Sequence, residues 1–246
     1  MYRHLTGVRA LAVLVYVGLL MTSGAANAQG IMVSPVKVEM PPGQMAAVLT
    51  IGNQSDREIA FQIRSFAWQQ SRAGDDQLSA TDELQASPPL ATVAPGATQV
   101  ARLVLRRPPH GREATYRILV DELSPPSSAG RVHVALRLSI PVFAEPTDRV
   151  SPQVQWRITA QGGQAWLVAA NEGTRHQTVR DLVLRTADGR ALQVEVNAPP
   201  HILPGGLRRW RVLNRGTTLA PGTVVRLTAS ADSGTIDQQV RVDGGP

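Results

Sequence analysis

The clearest periodicity in the chain lies in RVHVALRLSIPVF, residues 131–143. There Val132, Val134, Leu136, Leu138 and Ile140 alternate with Arg131, His133, Ala135, Arg137 and Ser139. A repeat of two marks a strand. Because successive side chains point to opposite faces, the segment offers an aliphatic ridge roughly 30 Å long at about 3.3 Å per residue. Shorter alternating runs recur upstream: Ala46 to Ile51 ending at Gly52-Asn53, Ile59 to Trp68, Val100 to Leu105 and Thr115 to Val120. Asp76 to Glu83 is polar and reads as a loop, while Ser87-Pro88-Pro89 and Ala94-Pro95-Gly96 set turns on either side of a short segment. An X-Pro bond in so tight a place is a candidate for the cis form. Almost nothing reads as helix, and the spacing predicts an antiparallel sandwich.

At Glu145-Pro146-Thr147-Asp148 the pattern breaks, and a second series follows. It runs through Gln153 to Ile158, Ala165 to Ala170, Leu182 to Leu184, Leu192 to Val196, Arg209 to Leu213, Val224 to Ala229 and Gln238 to Val242. The chain therefore divides into residues 29–146 and a second β domain over 147–246. Pro146 serves as a stiff hinge that does not continue a ladder.

The first residues are of another kind. Arg3 and Arg9 precede an apolar run from Ala10 to Met21, and Thr22 to Ala28 is rich in small residues and ends Ala26-Asn27-Ala28. This is the pattern of a secretory signal peptide over residues 1–28, leaving a mature chain that begins near Gln29. The apolar run falls short of the roughly 20 residues that a membrane-spanning helix needs.

Composition narrows the function. With no cysteine, an exported chain has no disulfide staples and no thiolate metal site, so each domain rests on an apolar core. The net charge of +6, two units of which leave with Arg3 and Arg9, is spread along strands without clustering. That distribution, together with export, excludes nucleic acid as the partner. No G-x-S-x-G elbow accompanies His110, His133, His176 or His201, and no H-E-x-x-H, P-loop or G-x-G-x-x-G occurs. Asp75-Asp76 and Asp121-Glu122 are adjacent, so within a strand they point apart and read as surface charge. No cofactor, metal, small-molecule substrate or catalytic residue is expected.

The order of features resembles the PapD-like periplasmic pilus-assembly chaperones of the chaperone-usher pathway. Four places carry the resemblance: Val33-Ser34-Pro35-Val36-Lys37-Val38-Glu39-Met40 with Leu49-Thr50-Ile51-Gly52-Asn53; Ser87-Pro88-Pro89 followed by Pro95-Gly96; Val100-Ala101-Arg102-Leu103 with Tyr116 to Pro126; and the 131–143 ridge followed by Phe143-Ala144-Glu145-Pro146. They cover about residues 31 to 146, and the wording around Tyr116-Arg117 and Leu136 to Phe143 is similar to the archaic branch. The resemblance implies an all-β chain of two immunoglobulin-like β-sandwich domains set at an angle. It also implies a mechanism in which one strand is lent to a pilus subunit that lacks its own last strand, before delivery to an outer-membrane usher.

On that resemblance the ridge is the lent strand, and Val132, Val134, Leu136, Leu138 and Ile140 are its groove contacts. Each contributes about 1.5 to 3 kcal/mol if fully buried. The family also grips the subunit's C-terminal carboxylate between basic side chains. Lys37, the only lysine in the chain, falls at the first anchor. At the second the chain departs from the better-known branch, because Pro141 stands where a lysine is expected. Arg117 is the first substitute and Arg137 the second. An exposed lent edge also leaves room for a self-capping oligomer. Two other readings remain: a structural pilin or adhesin, and a secreted carbohydrate-binding β-sandwich protein using Trp68, Trp156, Trp166 or Trp210.

Overall fold

The structure is a computed structural model that describes residues 30–123, 135–161, 163–195, 199–213 and 219–244. Among these residues the chain is strand and turn throughout, without a helix. The first series is β1 (Ile31–Ser34), β2 (Val38–Met40), β3 (Ala46–Asn53), β4 (Ile59–Gln70), β5 (Asp76–Ala80), β6 (Leu84–Ser87), β7 (Leu90–Val93), β8 (Thr98–Leu105), β9 (Ala114–Leu123) and β10 (Arg137–Ala144). The second is β11 (Val154–Gln161), β12 (Gln164–Asn171), β13 (Gln177–Thr186), β14 (Ala191–Val194), β15 (His201–Ile202), β16 (Leu207–Leu213), β17 (Val224–Ala231) and β18 (Gly234–Gly244).

Strands β1 to β10 form two sheets, one in the order β1-β3-β8-β6 and the other β2-β10-β9-β4-β5, with β7 beside β4. Alternation decides what lies between them. Leu49, Ile51, Ala101, Leu103 and Leu105 point inward from the first sheet; Phe61, Ile63, Tyr116, Ile118, Val120, Ile140 and Val142 point inward from the second. The opening segment changes sheets at Ser34-Pro35, a cis peptide, so that β1 pairs with β3 and β2 runs parallel to the end of β10. A second cis peptide, Ser87-Pro88, falls in the turn segment where an X-Pro cis bond was expected.

The polar segment from Asp76 corrects the loop expectation. Asp76–Ala80 is the edge strand β5, paired with Phe66–Gln70 and exposed at every residue. An edge strand lying over no core has no need of apolar alternation, so the sequence carries no period there.

Strands β11 to β18 form one sheet, β14-β16-β12-β11-β18-β17-β13-β15, in which β14 also pairs with β13 and closes the sheet on itself. The closure encloses a second core around Ile158, Leu167, Leu184, Trp210, Leu227 and Val242. One device recurs in both halves. Asn53, at the end of β3, donates from Nδ2 to the carbonyls of Arg57 and Val93. Asn171, at the end of β12, donates likewise to Arg175 and Ile202. Each buried amide thus satisfies one corner and ties it to a neighbouring strand. Gly173 sits in the second corner, where a Cβ would lie 2.4 Å from the Ser151 carbonyl, so no side chain fits there.

Candidate functional site

The ridge of the sequence is graded along β10. Ile140 is 4% exposed, and with Val142 and Ala144 it belongs to the first core. Leu138 is half-buried against that core, and Leu136 is 38% exposed. Val132 and Val134, like the signal segment 1–28, lie outside the described residues. The side chain of Ile140, an expected groove contact, packs within its own sandwich.

The backbone of β10 is graded in the same direction. On one side it pairs with β9 over its whole length, from Arg137↔Asp121 to Ala144↔Ala114. On the other, β2 covers only Val142, Phe143 and Ala144. The amide of Glu122 donates to the Leu136 carbonyl at 2.8 Å, which makes the even-numbered residues of β10 the ones bonded to β9. In an antiparallel ladder the intervening residues face away. Arg137 and Ser139 therefore turn N–H and C=O to an edge with no partner among the described residues. Pro141, which has no N–H, closes that open stretch.

The opposite face of the same sheet turns away from the first core and carries the charged candidates. By register Arg117 lies opposite Pro141 on β9, while Lys37, one residue before β2, falls opposite Pro141 on the other side. Strands are spaced about 4.8 Å apart, so the two cations flank the proline at about 10 Å between Cα atoms. Arg117 is 9% exposed, and its guanidinium lies 3.7 Å from the Trp68 ring centroid. Burial draws its pKa below the ordinary arginine value, Asp76 opposes the shift and Arg208 adds to it. No hydrogen bond or ion pair engages the Arg117 side chain among the described residues. Lys37 is part-exposed and paired with Glu39 at 2.6 Å.

Arg137, the other expected anchor, is placed elsewhere. Four residues from Pro141, which is about 13 Å along a strand, it is ion-paired with Asp121, whose other oxygen takes Arg64 at 2.8 Å. Burial of Asp121 disfavours its charge, yet the hydrogen bonds from Arg137 and Arg64 outweigh this and hold its carboxyl below the usual range. Glu122 pairs with Arg57 at 2.9 Å. The Asp121-Glu122 step is thus a pair of engaged, largely buried carboxylates and not free surface charge.

The inner end of β10 is locked against the second series of strands. Phe143 stacks on His176 with ring centroids 3.6 Å apart, and Trp68, His201 and Leu203 complete the cluster. The carboxylate of Glu113 accepts both the backbone N–H and the ring Nδ1 of His176 at 2.8 Å. Arg208 binds Asp76 at 2.6 Å and the carbonyls of Gly74 and His201. Gln70 joins the His201 carbonyl and the Leu203 amide. His201 is pushed down to about 3, first by burial and then by the positive field of His176, Arg117 and Lys37. No signal in the sequence marked these residues as one seam. Their partners are far apart in the chain, as Glu113 and His176 are at 63 positions, and no spacing rule links them. Among the described residues no three or more His, Asp or Glu side chains gather as a metal site would require.

Comparison with known proteins agrees with this architecture. Residues 30–149 match the family described as pili and flagellar-assembly chaperone, PapD N-terminal domain. That segment, residues 30–149, is thus a domain of the pili and flagellar-assembly chaperone family. The fold of the chain is similar to solved structures of that kind. One is a chain of the CsuC-CsuE chaperone-tip adhesion subunit pre-assembly complex from the archaic chaperone-usher Csu pili of Acinetobacter baumannii, at 20% identity and a TM-score of 0.63, covering 88% of this chain and 100% of that one. The YadV chaperone is 18% identical with a TM-score of 0.60, over 86% and 98%. A chain of the Salmonella enterica SafA pilin complex with the SafB chaperone is 13% identical with a TM-score of 0.58, over 88% and 97%. No curated protein sequence matches.

Proposed function

We propose that the protein is an exported, non-enzymatic chaperone that holds pilus subunits by lending them the outer half of β10 and passes them to an outer-membrane usher. The observation that carries this reading is the open edge: Arg137 and Ser139 present backbone groups with no partner among the described residues while Leu136 and Leu138 emerge stepwise from the core. A guest sandwich short of one strand gains main-chain hydrogen bonds from such an edge and apolar contact from alternate side chains. In this reading the groove contacts are Val132, Val134, Leu136 and Leu138, each contributing about 1.5 to 3 kcal/mol on full burial, before association costs are subtracted. The Csu and Saf complexes named above pair a chaperone with a pilus subunit, which supports the same class of partner here.

Lys37 and Arg117, on either side of Pro141, form an anion site suited to the guest's terminal carboxylate, and Arg117 replaces the charge that Pro141 lacks. Residues 29–146 then form the subunit-binding domain and 147–246 a second domain that buttresses its inner end. Residues 1–28 direct export to the periplasm. The same edge allows the free protein to cap itself as an oligomer.

The test is Leu136→Arg. It places a charge on the exposed tooth at no cost to the core. Secretion should continue at the normal level while the co-purified pilus subunit disappears. Undiminished recovery of the subunit would overturn the assignment of β10.

A further inference from the structure

The two cations beside Pro141 are not equivalent. Arg117 lies over the face of Trp68 with no hydrogen bond or ion pair among the described residues, whereas the Lys37 ammonium is already in contact with a carboxylate, Glu39 Oε1, at 2.6 Å. Residues two apart on a strand share a face, so β2 itself delivers Glu39 to Lys37. The pair opens on a cavity of about 320 Å³ that the second series of strands completes with Arg175, His176, Gln177 and Asp232. Asp232 is ion-paired with Arg180 at 3.6 Å, and Arg175 with Glu145 at 2.7 Å. Among the described residues Glu39 has one ion-pair partner, Lys37, and Lys37 has one, Glu39.

We propose that Glu39 is a placeholder carboxylate, occupying Lys37 until a guest's carboxylate displaces it, and so setting which anions the anchor accepts. The inference rests on Lys37 being an anchor. An ion pair that is a third to a half exposed is weak and exchanges readily. A free anion must nevertheless compete with Glu39 at its bulk concentration. A carboxylate at the end of a strand already paired along β10 competes at the high effective concentration of a tethered group. Glu39 thereby favours a carboxylate that arrives attached to a docked strand and disfavours small anions in solution. Arg117, which has no such occupant, gives the arriving carboxylate its second contact.

Lys37 is the only lysine in the chain, so lysine labelled with carbon-13 at the ε position gives one side-chain resonance in the mature protein. The probe is sodium acetate, titrated at constant ionic strength into wild type, Glu39→Gln and Asp232→Asn. The expected result is a midpoint about two- to fivefold lower in Glu39→Gln than in wild type, the range an exposed pair supports. Asp232→Asn removes a charge from the same cavity without touching the ammonium, and its midpoint should move less. Equal midpoints for wild type and Glu39→Gln overturn the proposal. So does a shift in Asp232→Asn as large as that in Glu39→Gln, which would make the effect one of general charge. If the acetate result holds while Leu136→Arg still recovers its subunit, the lent-strand reading falls and the Lys37–Glu39 exchange stands. If subunit recovery depends on Leu136 and the midpoints are equal, Glu39 alone loses its role.

Discussion

The two halves of β10 share one alternation and have opposite fates. From Ile140 to Ala144 every residue is buried: even positions fill the first core, and Phe143 reaches across to His176 on the second series of strands. From Ala135, two residues ahead of β10, to Ser139 the same alternation runs out past the core, and on the side away from β9 no strand among the described residues pairs with it. The difference lies in what stands beside the strand. β2 ends at Met40 opposite Ala144 and begins at Val38 opposite Val142, so it covers three residues and leaves the rest. On the lent-strand proposal, the strand is free to be lent where its neighbour stops. Hydrophobic teeth are equally good at filling an interior and at leaving one.

The sharpest way to break this comparison is to remove the inner lock. Phe143→Ala deletes a ring that is 1% exposed and packed on Trp68, His176 and His201. It should cost about 3–5 kcal/mol of stability in urea unfolding, the largest effect of any change discussed here. If the loss were below about 1 kcal/mol, a small value for such a cavity, the seam would not be what holds β10 in place.

Acid should loosen the same end. His201 is held near 3 in the folded protein against 6.5 when free. A histidine with a lowered folded pKa is stabilising while neutral, so its contribution is complete above pH 6.5. It declines as pH falls toward 3, because the unfolded chain takes up the proton first. Between pH 6.5 and 5 the loss is about 2 kcal/mol. Asp121, also lowered, adds its loss only below the ordinary carboxylate range. Urea midpoints measured at pH 7.5, 6.5 and 5 should therefore fall mainly over the last interval, and His201→Gln should flatten that fall. An equally steep decline in the variant would move the cause to another group.

How much of this could be read from the sequence follows from the same physics. Alternation located the main strands because each has one face on a core, and it located the ridge because that face stays aliphatic beyond Ile140. It did not show where the core ends, since Leu136 and Ile140 have the same chemistry and only Ile140 lies within the packed interior. The Lys37–Glu39 pair was within reach, because two apart on a strand means one face. The Arg117–Trp68 stack and the Glu113–His176 bond join segments whose proximity exists only in the folded sheets. Asp76–Ala80 escaped because an edge strand over no core need not alternate, and Asp76 acquires its meaning only when Arg208 arrives from the other half.

The finest test runs along the comb itself. Ile140→Val removes one methyl group from a filled interior and should cost about 1 kcal/mol. Leu136→Ala removes more atoms from a side chain 38% exposed at the free end, yet it should cost below about 0.5 kcal/mol, as surface substitutions do. The larger deletion is thus expected to have the smaller effect on the isolated protein, and on the lent-strand proposal the order should invert when retention of the pilus subunit is measured, because there Leu136 would be the tooth in use. If urea unfolding gave Leu136→Ala the greater loss, the outer half of β10 would be buried in the free protein, and the distinction between its two ends would vanish.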